Sequence, residues 1–343
     1  DLFVLLYTSG STGVPKGVMF NHSNTVVTTE WVKKYYEMNE TSRVTSYASY
    51  GFDANVFDTY PAITSGACLH IIAEEMRLDF PALLDYYNQN GITHTVMTTQ
   101  VGRQFALMGG QTTLKHLSVA GEKLTPLPAP TDFALYNLYG PTEGSVVTSG
   151  FKMLPGVNYK DVPIGAAVDN LKVYVVDGRG RRLPVGAVGE LWIAGPHVTR
   201  GYLNRPEKTA EAYGENPFSN ETGYERVYRT GDIVRLLSDG NLQFVGRRDG
   251  QVKVRGFRVE LTEIEEIVRR FPGVEDATVA AFDDPAGGKF VAAYIVSPTE
   301  IDKTALADFI RAEKPPYMVP AVVMQIDKIP LNQNQKVNKR ALP

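Results

Sequence analysis

The sequence predicts an α/β protein. A large N-terminal portion holds parallel βα units plus an antiparallel, barrel-like part, and a small α+β C-terminal domain follows. Three observations carry this. Apolar runs of strand length alternate with segments of helical period over residues 24–120, the pattern of a parallel sheet covered on both faces. From about Phe151 short strands separated by Gly-rich turns replace that alternation. From Gly246 a cluster of glycines and charges leads into a helix–strand–strand–helix–strand order of about a hundred residues, a length that folds alone.

Composition sets outer limits. The chain has 343 residues, 43% hydrophobic and 21% charged, which fits two or three globular domains. A net charge of −3 gives no footprint for DNA or RNA, so no nucleic-acid partner is expected. Cys68 is the only cysteine. It rules out an internal disulfide and a thiolate metal cluster, and its apolar neighbours suggest buried packing. No apolar stretch reaches membrane-spanning length and no signal peptide precedes the first strand. The expectation is a cytoplasmic protein acting on a small molecule, without a membrane partner.

In chain order, Asp1–Tyr7 reads as a buried strand that breaks into Thr8-Ser9-Gly10-Ser11-Thr12-Gly13-Val14-Pro15-Lys16-Gly17. Glycines let several backbone N–H groups point at one anion, hydroxyls add donors, and Lys16 adds a mobile positive charge. The spacing is not that of a Walker A loop. A Gly/Ser surface turn with an incidental lysine is the alternative. Helices are expected at 24–36, 52–65, 80–90 and 102–108, with strands at 44–50, 67–73, 93–98 and 117–120. Short strands follow at 171–176, 189–194, 233–237 and 242–245, the last two joined by a Ser238-Asp239-Gly240-Asn241 turn. Beyond Gly256, Thr262 and Glu265 form an expected capping box before an apolar stripe of Ile264, Ile267, Val268 and Phe271. Strands at 277–282, 290–296 and 321–327 and a helix at 302–313 complete the small domain, whose boundary is placed at Asp249.

Four further segments carry chemistry. In Asn137-Leu138-Tyr139-Gly140-Pro141-Thr142-Glu143, an amide can meet a purine edge, a hydroxyl a phosphate, and a carboxylate Mg²⁺. Tyr228-Arg229-Thr230-Gly231-Asp232 sets an aspartate where ribose hydroxyls could donate to it. The basic run Gly246–Gly256 and the terminal Pro330–Arg340, with Lys336, complete the set. Each alone also reads as a solvated turn or loop.

Together, in this order, the segments resemble the adenylate-forming superfamily, most closely the amino acid adenylation domains of nonribosomal peptide synthetases. The resemblance covers essentially the whole chain and includes Phe52-Asp53-Ala54, Gly189-Glu190-Leu191 and Gly201-Tyr202. It implies the adenylate-forming enzyme fold lacking its N-terminal segment, with residues 1–248 as a partial core and 249–343 as a mobile small domain. It implies that Thr8, Ser9, Gly10, Ser11, Thr12, Gly13 and Lys16 hold the ATP phosphates. Asn137 and Tyr139 would serve the nucleotide, Thr142 the α-phosphate, Glu143 Mg²⁺, and Asp232 with Arg247 the ribose. Asp249 would be the hinge and Lys336 the catalytic lysine. Asp53 would pair with the α-ammonium of an amino acid in a pocket of Ala54, Phe57, Val96, Ser118, Ala120, Leu138, Val146 and Val147. All of these but Ser118 are apolar, so the implied substrate is neutral and mainly hydrophobic.

The implied reaction joins an amino acid to AMP with release of pyrophosphate. Transfer to the phosphopantetheine thiol of a peptidyl carrier protein follows, with condensation and carrier domains as flanking partners. The chain departs from the family at Gln335 and Asn338, where glycine and aspartate are usual. Alternatives are a stand-alone ligase of the D-alanine–carrier protein kind, an acyl- or aryl-CoA ligase, and a non-catalytic nucleotide-binding protein.

Overall fold

The computed structural model describes residues 1–9, 15–248, 251–254, 256–284, 287–330 and 337–343. The chain divides into two compact units, Asp1–Thr8 with Lys16–Asp249, and Ser9–Pro15 with Gly250–Pro343.

In the first unit, β1 (Leu2–Thr8) and β2 (Lys16–Asn21) form an antiparallel ribbon in which Thr8 stands opposite Lys16. Residues 9–15 join the two strands, and 10–14 of them lie outside the described residues. β1 is not the buried strand the apolar run suggests: Leu6 is buried but Tyr7 is 60% exposed. Val4 and Leu6 pack on the core, and the alternation of a strand turns their neighbours outward.

After α1 (His22–Tyr35) come β3 (Arg43–Ser46), α2 (Ala54–Thr64), β4 (Cys68–Ile71), α3 (Phe80–Asn90), β5 (His94–Thr98), α4 (Thr99–Met108), β6 (His116–Ala120), β7 (Ala134–Tyr139), β8 (Ser149–Lys152) and β9 (Ala166–Ala167). They build a seven-stranded sheet of order β4-β3-β5-β6-β7-β8-β9. The first five strands run parallel, β8 pairs antiparallel with β7, and β9 pairs antiparallel with β8. α3 shows why such helices form where they do. Asp79 accepts from the Ala82 N–H at 3.1 Å, Pro81 enters the first turn, and Gly91 ends the helix at φ 62°. On one face of the sheet Met97, Leu117, Val119 and Leu135 pack with Leu83, Tyr87 and Phe105 of α3 and α4. On the other, Tyr136 and Leu138 pack with Trp31, Val32 and Phe57 of α1 and α2.

Two expectations fail here for stated reasons. Cys68 is exposed rather than buried, because β4 is an edge strand. The strand expected to reach residue 50 stops at Ser46, since the next two N–H groups, of Tyr47 and Ala48, bond to Asp58 instead of to a neighbouring strand.

The remaining elements of this unit are β10 (Lys172–Val176), β11 (Val188–Ala194), α5 (Pro206–Ala212), β12 (Tyr213–Glu215), β13 (Arg226–Leu236) and β14 (Leu242–Arg247). The long β13 pairs antiparallel with β11, β12 and β14, and β10 pairs with β11. Among the described residues this five-stranded sheet is not a closed barrel. β14 meets Gly165 through an isolated bridge rather than returning to β10.

In the second unit, the hairpin β15 (Val252–Val254) and β16 (Phe257–Val259) precedes α6 (Leu261–Arg270), β17 (Asp276–Asp283), β18 (Lys289–Val296), α7 (Lys303–Arg311) and β19 (Val322–Gln325). β17 and β18 pair antiparallel, β18 and β19 parallel. Ile264, Ile267 and Val268 are buried with Val279, Ile295, Leu306 and Ile310, as the stripe on α6 requires. The capping box does not form. The N-cap is Glu260, and Glu265 instead accepts from Thr278 Oγ1 and the Val279 N–H, each at 3.1 Å. Among the described residues no helix is long and apolar enough to cross a membrane.

Candidate active site

Parallel strands direct ligands to their C-terminal ends, most of all where strand order reverses. Here the reversal lies between β3 and β5, whose sequence neighbours β4 and β6 sit on opposite sides. The loop after β3 delivers Asp53, and β5 carries Val96. β6 presents Ser118 in register with Val96, and Ala120 in register with Thr98. Leu138 on the same face of β7, and Phe57 on α2, belong to one core cluster with Val147, and Val96, Ala120 and Val146 pack against it. Ala54, the first residue of α2, and Asp53, its N-cap, are half-buried, and the Asp53 side chain makes no capping bond.

This face also carries Tyr36, His94 and His116, which the residue set did not include. The hydroxyls of Tyr36 and Ser118 share a hydrogen bond of 2.7 Å, and both residues are buried. The Tyr36 ring also meets Phe57, His116 and Tyr136 edge-on. The rings of His94 and His116 stack at 4.6 Å. Burial first, then the neighbouring His116 for His94 and the Lys152 charge for His116, bring both imidazoles down to about 4, so they are neutral at physiological pH.

The C-terminal end of β7 forms a second cluster. Asn137 donates its amide to the Pro163 carbonyl at 2.8 Å, while its Oδ1 is buried with no hydrogen-bond partner among the described residues. Tyr139 donates to Oδ2 of Asp232 on β13. Arg247 on β14, opposite Asp232 in the ladder, donates to Oδ1 at 2.6 Å. Burial, and then the Asp232 charge, push the Tyr139 phenol well above its ordinary value. Next in the chain, Gly140 passes so close to Val146 that a Cβ would stand 2.1 Å from its carbonyl oxygen. That turn leads into the short 3₁₀ segment Thr142–Gly144. Thr142 is half-buried, whereas Glu143 is fully buried and accepts from the Tyr202 hydroxyl at 2.7 Å.

Lys16, at the foot of the ribbon, lies 4.9 Å over the Tyr202 ring. One aromatic side chain thus touches both the Lys16 ammonium and the Glu143 carboxylate. Thr8 Oγ1 is buried without a hydrogen-bond partner among the described residues. Ser9 groups with the second unit. Gly10, Ser11, Thr12, Gly13, Asp249 and Lys336 lie outside the described residues. No group of three or more His, Cys, Asp or Glu stands together as a metal cage among the described residues.

Sequence reading missed Tyr202 as the partner of Glu143 and Tyr36 as the partner of Ser118. A weak signal existed for the first, the Gly201-Tyr202 pair. For the second there was only a tyrosine near the end of a helix.

A model of the AMP-binding enzyme family matches residues 1–203, and one of the AMP-binding enzyme C-terminal domain matches residues 263–336. Bacitracin synthase 1 of Bacillus licheniformis is 39% identical over all of this chain, which spans 6% of that protein. Among solved structures, the Vibrio cholerae adenylation domain AlmE in complex with glycyl-adenosine-5'-phosphate gives a TM-score of 0.85 at 26% identity, over 98% of this chain and 65% of that one. NpsA-ThdA, an artificially fused adenylation–PCP di-domain from Klebsiella oxytoca, gives 0.82 at 25% identity, over 94% of this chain and 65% of that one.

Proposed function

The chain belongs to the AMP-binding enzyme family, and from that premise we propose that it activates an amino acid as its aminoacyl adenylate. A substrate carboxylate oxygen attacks the α-phosphorus of ATP, and pyrophosphate leaves. Two anions must approach, so the work is positioning and charge neutralisation. The observation that carries the reading is the cluster at the end of β7. The buried amide oxygen of Asn137, without a hydrogen-bond partner among the described residues, suits an exocyclic adenine amine. The Asp232 carboxylate, fixed by Tyr139 and Arg247, suits ribose hydroxyls. Thr142 would meet the α-phosphate, and Thr8, Ser9, Gly10, Ser11, Thr12, Gly13 and Lys16 the departing phosphates.

Glu143 offers one hard carboxylate, which fits Mg²⁺ because that ion takes one or two carboxylates and fills its shell with water and phosphate oxygens. Bound there, Mg²⁺ would supply charge neutralisation. Lys336 would supply a second positive charge from the small domain, residues 249–343, turning about Asp249.

Asp53 would hold the substrate ammonium. Besides apolar groups, the described side chains on this face include the hydroxyls of Tyr36, Ser118 and Tyr136 and two neutral imidazoles, so a neutral side chain is the best fit. The acyl group would then pass to the phosphopantetheine thiol of a carrier protein, with flanking carrier and condensation domains and a cytoplasmic setting. The joining of adenylation and PCP parts in NpsA-ThdA supports the carrier as partner.

Amino-acid-dependent ATP–pyrophosphate exchange by the full-length protein tests the reading. Exchange with at least one neutral amino acid is expected; none with any amino acid overturns it. Thioester formation with a carrier but not with CoA separates this reading from that of a CoA ligase.

A further inference from the structure

We propose that Asp58 is a positioning residue that sets Asp53 in the amino-acid site, an inference that rests on the reading of Asp53 given above. Residues 47–53 join β3 to α2, and residues 49–52 of that loop are exposed. An exposed loop that must place one carboxylate to within a fraction of an ångström needs an anchor from a rigid element. Asp58 provides it. Its side chain is 1% exposed, and Oδ2 accepts the N–H of Tyr47 at 3.0 Å and that of Ala48 at 2.9 Å. These are the first two residues past β3. They leave the ladder just as the chain turns toward Asp53.

Asp58 lies on the same helix that Asp53 begins, so one short element holds both ends of the loop. Asn55 adds to the grip, its amide reaching Ser46 Oγ at 3.3 Å and the Ala48 carbonyl at 3.4 Å. Ordinary core packing does not account for an aspartate here. Asp58 Oδ1 is buried with no hydrogen-bond partner among the described residues, an arrangement that costs stability. An apolar side chain of similar size would pack without that cost. What the carboxylate adds is an acceptor for two backbone N–H groups at the reversal of strand order, where the substrate would sit.

The test compares Asp58→Leu, which fills the volume without an acceptor, with Asp58→Asn, which keeps one. Both are made in the full-length protein and read by ATP–pyrophosphate exchange. For Asp58→Leu the KM for the amino acid should rise by roughly tenfold or more, as displacement of a site group by about an ångström implies, while the KM for ATP stays within about twofold. Asp58→Asn should restore the amino-acid KM. The proposal is overturned if Asp58→Leu keeps the wild-type amino-acid KM, if it raises both KM values alike, or if Asp58→Asn is as impaired as Asp58→Leu. Should Asp58→Leu fail to bind ATP at all, amide hydrogen exchange on the wild-type protein decides. Tyr47 and Ala48 N–H groups should exchange as slowly as those of β5, and rapid exchange of both overturns the clamp. That measurement needs no turnover. Absence of exchange activity with every amino acid would therefore strike the adenylation reading, while the clamp would still be judged by its amides.

Discussion

The hydroxyl of Tyr202 donates to the carboxylate of Glu143 across 2.7 Å, and both side chains are buried. Lys16 stands over the same tyrosine ring. The tyrosine therefore orients the carboxylate proposed to meet Mg²⁺ and also backs the lysine proposed to meet the departing phosphates. Tyr202→Phe keeps the ring under Lys16 and removes only the donor. It should cost about 1–3 kcal/mol of stability, the range for taking a partner from a buried acceptor. It should also raise the Mg²⁺ concentration needed for half-maximal exchange. Urea unfolding and a Mg²⁺ titration measure the two effects.

Asp232 and Arg247 make a pair whose side chains are only 6% and 10% exposed. Removing one member of such a pair leaves a buried charge without its counterpart, at about 3–5 kcal/mol. Asp232→Ala should therefore unfold at markedly lower urea. Asp232→Asn keeps an acceptor for Tyr139 and should cost less stability, yet weaken ATP binding if ribose hydroxyls bond to this carboxylate. An Asp232→Asn variant with wild-type ATP affinity would remove Asp232 from the nucleotide site.

How much of the fold and the site is legible in the sequence depends on how local each determinant is. α3 is legible because Asp79, Pro81 and Gly91 sit beside the helix they delimit. The stripe on α6 is legible for the same reason, although its expected cap does not form, since Glu265 bonds across to β17. The Tyr202–Glu143 and Tyr36–Ser118 bonds span 59 and 82 residues. Nothing near either partner announces the other. The exposure of Cys68 depends on strand order, which no local pattern encodes. The open second sheet likewise depends on β14 meeting Gly165 rather than β10.

Acid should destabilise the fold in a defined window. Burial is the first cause that lowers His94, His116 and His197 from 6.5 to about 4. Between these values the unfolded chain binds protons that the folded one does not, so their contribution is full above about 6.5 and lost as pH falls toward 4. Asp58 acts in the opposite sense. Burial raises it from 3.8 to about 7, against the Tyr47 and Ala48 N–H bonds and the Arg77 charge, with Tyr47 and Tyr87 also nearby. Its contribution is full below 3.8 and lost as pH rises to 7. The three imidazoles outweigh one carboxyl, so the urea midpoint should fall between about pH 7 and pH 5. In Asp58→Asn the opposing slope is gone, and the fall should be steeper. A midpoint that rises on acidification in the wild type contradicts this balance.

Substrate preference should depend on Tyr36, although it lies outside the expected pocket set. Tyr36 and Ser118 join through a single hydrogen bond, and two hydroxyls sharing one bond leave one O–H hydrogen unspent. Neither oxygen has another hydrogen-bond partner among the described residues, and the pair sits on the face shared with Val96, Ala120 and Leu138. A substrate side chain with an acceptor oxygen can use that hydrogen; a purely aliphatic one leaves it unpaired at a cost. Tyr36→Phe combined with Ser118→Ala deletes both hydroxyls and the unspent hydrogen with them. The ratio of kcat/KM for hydroxyl- or amide-bearing amino acids over aliphatic ones should then fall by about tenfold, as loss of one polar contact in a pocket commonly does. The ATP KM should stay unchanged. An exchange profile over the neutral amino acids, wild type against the double variant, measures this. An unaltered profile would place the hydroxyl pair in the core beneath the pocket rather than in its wall.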